Sequence, residues 1–158
     1  MEDLCLYVIV RTELESMNPG KAQAHSGHAA NAFIFKHYIS NDYDENLRSL
    51  VDLWMKSTPQ GFGTQFNLKA DEWGDVEDAF HVLIHLGYAA EIITDPTYPY
   101  MVTDEVFDLL PSEYTQGAIK AGDAGWICFR EEQTAFYVFG KRSDPVLQEQ
   151  LAKFYRHP

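Results

Sequence analysis

The sequence predicts an α/β fold of three layers, α/β/α, with helices on both faces of a central mixed sheet of about four to five strands. Three observations carry this. Leu4, Cys5, Leu6, Tyr7, Val8, Ile9 and Val10 form an apolar run of strand length, which suits a strand covered on both faces. Stretches whose apolar residues recur at three and four positions alternate with short strand-like stretches, the order expected when helices are layered on a sheet. The chain has 158 residues and is 46% hydrophobic, which suffices for one domain over residues 1–158 and is too short for two full ones.

The elements follow in order. Residues 4–10 are the central strand. Pro19 and Gly20 open a helix to about residue 40, with Ala24, Ala29, Ala30, Phe33 and Ile34 as much of its buried side. From residue 44 to about 57, Leu47, Leu50, Val51, Trp54 and Met55 recur at helical spacing, and Pro59, Gly61 and Gly63 end that helix. Residues 65–69 read as a short strand. Residues 71–86 read as a helix with an acidic first turn and Gly87 at its close, and residues 88–93 as the next strand. Residues 95–125 are rich in Pro, Tyr and Asp, with one short helical segment around 104–110. Residues 126–130 and 134–139 read as a hairpin turning at Glu131 and Glu132, and Asp144-Pro145 starts a last helix to about residue 155.

No apolar run approaches the ~20 residues needed to span a bilayer, and the N-terminus has no basic segment followed by an apolar stretch. A cytoplasmic protein without membrane contact is therefore expected. Cys5 and Cys128 are too few for a disulfide framework and lie in apolar surroundings, as buried reduced thiols would. The formal net charge of −12 disfavours broad electrostatic attraction to nucleic acid, so any such binding must rest on a local cationic field and be salt-sensitive.

The most informative stretch is the junction after the first strand. The apolar run ends at Arg11, a polar turn follows, and Gly20-Lys21 enters a helix rich in small residues. A strand, loop and helix N-terminus in this order gathers unpaired N–H groups and the positive end of a helix dipole, and Arg11 and Lys21 add cationic side chains. Arg11, Gly20 and Lys21 are the candidates for holding a phosphate, with bracing of the loop as the other role open to Arg11.

Arg11, Glu13, Leu14, Met17, Gly20, Lys21, Ala24, Gly27, His28 and Ala29 fall in step with a pattern, Val-Arg-x-(Asp/Glu)-Leu then Met-x-x-Gly-Lys-x-x-Ala-x-x-(Gly/Ser)-His-Ala, that resembles the archaeal and eukaryotic type of peptidyl-tRNA hydrolase. Residues 86–95 look like that family's later strand ending on an active-site Asp, here Asp95, and residues 135–140 are similar to its last strand. The resemblance covers roughly residues 4–40, 64–95 and 134–155. It implies hydrolysis of the ester between peptide and tRNA, in translation, by water and without a metal or organic cofactor, with tRNA as partner. The family joins its Asp-bearing strand to its last strand by a brief loop, so residues at about 96–125 read as an insertion, a lid or a surface for a protein partner or second copy.

In this scheme Lys21 faces the ester or a phosphate and Asp95 orients water. Thr97 could substitute for a family Thr, since Pro96-Thr97-Tyr98 replaces its Ala-Gly-Arg-Thr, and Tyr98 could stack on a base. Thr134 lies one residue out of register with a family threonine. His25 replaces a usual Gln one turn beyond Lys21 and could face the site. His25 with His28, and His81 with His85, have spacings at which two imidazoles share a metal, but neither pair has an evident third ligand in the sequence, and no metal is expected. Two rivals remain: a non-catalytic tRNA- or protein-binding module on the same scaffold, and a metal-dependent hydrolase built on the histidine pairs.

Overall fold

The computed structural model describes residues 3–40 and 44–156, of Arg156 the backbone only. Strand β1 (Leu4–Arg11) lies at the centre of one mixed sheet. It pairs in parallel with β2 (Gln65–Ala70) and antiparallel with β5 (Trp126–Lys141). The order is β3-β5-β1-β2-β6, with β3 (Ala89–Val102) antiparallel to β5 on one edge and the short β6 (Tyr155–Arg156) on the other. A two-residue strand β4 (Ile119–Lys120) pairs with the start of β5.

The pleat of β1 explains the layers, because alternate side chains leave opposite faces. Leu4, Leu6, Val8 and Val10 pack against Ala22, Ala29 and Phe33 of α1 (Pro19–Ile34) and Val51 and Trp54 of α2 (Glu45–Lys56). Cys5, Tyr7 and Ile9 pack against Val76, Ala79 and Leu83 of α3 (Trp73–His85) and Leu147 and Leu151 of α6 (Pro145–Leu151). Both cysteines are buried and free, and burial pushes the Cys5 thiol up to about 12, so neither is an activated nucleophile. No helix among the described residues is long and apolar enough to cross a membrane.

Four expectations change. The buried side of α1 runs through Ala22, His25, Ser26, Ala29 and Phe33, whereas Ala24 is exposed, so the helix turns two polar residues inward. The first helix gives way at Phe35–Ile39 to one π-helical turn. Strand β3 does not stop at residue 93, and residues 126–139 are not a hairpin: β3 and β5 are single strands paired from Ala89↔Phe139 to Val102↔Trp126. The segment read as an insertion is thus the outer half of this long hairpin plus its tip, where α4 (Asp104–Phe107) and α5 (Ser112–Thr115) sit and Phe107 stacks on Trp126 at 4.1 Å. Finally, α6 ends at Leu151 and the chain turns into β6.

The hairpin tip depends on Gly125. Its φ is 108°, and a Cβ there would lie 2.1 Å from the Val102 carbonyl oxygen, next to the last rung of the ladder. Gly125→Ala is expected to cost about 1–3 kcal/mol. Hydrogen exchange should report the loss as faster exchange in residues 96–130, with α1 and β1 unaffected.

The π turn carries a polar chain into the α1 face. Tyr137 donates its hydroxyl to Glu91 at 3.0 Å, so the single phenolic proton is committed and His37 Nε2, also 3.0 Å away, donates to the same oxygen. Lys36 pairs with Glu91 at 3.1 Å. Burial holds the His37 imidazole below its ordinary value; Lys36 pushes the same way and Glu91 opposes. A group of this kind takes up a proton on unfolding, so its stability contribution is intact above the unfolded value of about 6.5 and is lost as pH falls towards the folded one. The denaturation midpoint should therefore drop between pH 7 and 5, and His37→Gln should flatten that slope; an unchanged slope would remove His37 as its source.

Candidate functional site

The site begins with a break in the β3–β5 ladder. Register is lost between Ile93 and Thr94, where Thr134 of β5 is passed over, and again between Asp95 and Tyr98. Pro96 has no N–H to give a ladder, so a bulge at this point follows from the sequence. Two residues of β3, Pro96 and Thr97, lie opposite one of β5, Glu131. Because side chains alternate along a strand, one surplus residue restores the face, and both Asp95 and Tyr98 point towards α1. The expectation that Asp95 ends its strand is corrected: it sits inside β3, in phase with Ile93, and Thr97 of the bulge holds its carboxylate.

On α1, Lys21, His25 and His28 follow at four and three residues and share a stripe of the helix. His25 is 3% exposed, with Nε2 3.9 Å from Asp95 Oδ2 and its ring 5.7 Å from that of Tyr98. Lys21 Nζ lies over the Tyr98 ring, 5.3 Å from its centre, and has no carboxylate partner among the described residues. Asp95 is held by its other oxygen: Thr97 donates its N–H at 2.8 Å and its hydroxyl at 3.2 Å to Oδ1. Tyr98 is 1% exposed, and its hydroxyl bonds Ser16 Oγ, which in turn donates to the Pro99 carbonyl. Burial depresses the His25 imidazole, Asp95 opposes, and His28 and Lys21 add to the depression. Lys21 and Asp95 thus act on the same ring from two elements.

The structure puts the residues singled out from the sequence in three different positions relative to the centre. Lys21, His25, Asp95 and Thr97 come together. Arg11 does not join them, because it leaves β1 in phase with Cys5, Tyr7 and Ile9, towards α3. Its guanidinium bonds Glu13 at 2.6 Å, and Glu132 and the Gln133 carbonyl at 2.9 Å, and it covers the Trp73 ring. It braces the loop and the bulged strand, the second of the two roles open to it from the sequence. Thr134 is fully buried at the first ladder break and its hydroxyl has no hydrogen-bond partner, so it does not reach solvent.

The start of α1 is also less open to an anion than the sequence implied. Asn18 caps it, accepting from the Lys21 N–H at 3.0 Å while its carbonyl takes the Ala22 N–H at 2.9 Å; Pro19 has no N–H. Gly20 is left as the one open donor of that turn among the described residues. The tyrosine at position 98 was read as a stacking surface, but it packs inward as the floor between Lys21 and His25. A hollow of about 420 Å³ lined by Tyr7, Phe66, Arg142 and Gln148 lies on the α3/α6 face and contains none of these residues.

No protein-family model matches the chain, and no curated protein matches it.

Proposed function

We propose that the chain is a hydrolase of the peptidyl-tRNA type, cleaving the ester between a peptide and the terminal ribose of tRNA. The observation that carries this reading is the meeting of Lys21 and Asp95 at His25 across the floor made by Tyr98. Water attacks the ester carbonyl carbon and gives a proton to Asp95, whose second oxygen is fixed by Thr97. The Lys21 ammonium faces the oxyanion that develops. The carbon–oxygen bond to ribose then breaks, the ribose oxygen takes a proton, and the peptide leaves as an acid. The local field of Lys21, against a net charge of −12, makes binding of the acceptor end weak and salt-sensitive.

Two observations favour a second reading, a binding module on the same scaffold: Arg11 is already engaged, and Tyr98 fills space between Lys21 and His25. Release of peptide from a short peptidyl-tRNA, measured beside filter binding of tRNA at low and high salt, separates them. Turnover that falls in Lys21→Ala supports hydrolysis. Equal rates for the two proteins remove Lys21 from the mechanism. Binding without turnover supports the module, and neither binding nor turnover points to a protein partner.

A further inference from the structure

The sequence offered two histidine pairs and no third ligand for either. The fold supplies one. His25 and His28 present a ring nitrogen each from one stripe of α1, and β3 sets the Asp95 carboxylate beside them; the three donor atoms lie within 4.8 Å of one another. His81 and His85, both exposed on α3, gain no such carboxylate among the described residues.

We propose that His25, His28 and Asp95 form a binding site for a divalent transition-metal cation, zinc foremost. Two imidazoles and one carboxylate suit zinc or iron(II) and leave coordination positions open, whereas calcium and magnesium prefer oxygen ligands throughout. With bonds of about 2.1 Å, tetrahedral donors stand about 3.4 Å apart. The His25–Asp95 separation of 3.9 Å is close to that, and His28, exposed at the surface with its ring 5.3 Å from that of His25, leaves a path for the ion.

One further feature points to a ligand. Asp95 is already oriented from behind by Thr97, the kind of outer support that metal-binding carboxylates receive. The inference goes beyond the hydrolase reading and does not rest on it, since its readout is binding of the ion alone.

The test is a titration of the full chain, stripped with chelator, with zinc chloride in competition with a chromophoric chelator. One equivalent should bind, and His28→Ala should weaken it at least about 10–100-fold, with an unchanged far-ultraviolet circular dichroism spectrum because His28 is exposed. His81→Ala should bind as the wild type does. Cobalt(II) in the same site should give a visible absorption band that His28→Ala abolishes. Equal affinity of His28→Ala and wild type, an equal loss in His81→Ala, or no zinc bound against the competing chelator would each overturn the proposal.

Discussion

Under the proposed hydrolysis, Lys21→Ala is expected to slow peptide release by about 10²–10³-fold, the usual loss when one donor to an oxyanion is removed. The same change should leave stability untouched or slightly improved. Lys21 is the third residue of α1, at the positive end of the helix dipole, where a cation is disfavoured by about 0.3–1 kcal/mol, and no carboxylate pairs with it among the described residues. Its side chain lies over the Tyr98 ring, a contact of about 0.5–1 kcal/mol at an exposed site. These terms nearly cancel. The helix cap survives as well, because Asn18 bonds the backbone N–H of residue 21 and not its side chain. Kinetics and thermal melting on the same sample therefore test the role together: a slowed reaction with an unchanged Tm places Lys21 in the chemistry, whereas rate and Tm falling in parallel would make it a packing residue.

Phe33→Ala is expected to cost about 3–5 kcal/mol, read as a fall in the denaturant midpoint with little change of slope. Phe33 is fully buried in the α1 layer. Its ring meets Trp54 of α2 at 5.6 Å and Tyr137 and Phe139 of β5 at 5.4 and 4.9 Å, and it also touches His37 at 5.3 Å. It is the point at which two helices and the sheet share one contact. The surrounding rings are large and held by other bonds, such as Trp54 Nε1 to the Thr64 carbonyl at 2.8 Å, so they cannot collapse into the space. Domains of this size are stable by only about 5–15 kcal/mol, so this one residue carries a large share. A loss under about 1.5 kcal/mol would mean that the cluster repacks.

The sequence was most legible where a local period was strong. Strand β1 and helices α2 and α3 follow from apolar spacing alone, because the faces they bury are set by residues next to each other in the chain. The outer half of β3 and the continuity of β5 through Glu131 and Glu132 were not legible for an opposite reason. Pro96, Thr97, Glu131 and Glu132 read as turn chemistry, and what keeps both segments extended is the pairing of each with the other. Pro96 in a run otherwise suited to a strand was the available sign of a bulge. For the site, the motif singled out Lys21 and Asp95 and left Arg11 two roles, holding a phosphate or bracing the loop; choosing between them required counting its phase in β1 against Ile9 and Tyr7. That His25 would turn inward and meet Asp95 depends on a strand and a helix face distant in sequence, which no local pattern encodes. His28, conversely, was legible as a possible ligand but lacked its carboxylate until the fold brought it.

Strand β3 closes the sheet on one side and runs for fourteen residues, long enough to template a neighbouring molecule along its outer rim. Prolines at positions 96 and 99 leave gaps in the donors such a neighbour would need, and the kink at the first of them twists the rim away from a straight line. The imino acid that interrupts the ladder beside Asp95 therefore also interrupts the rim along which a neighbour would add.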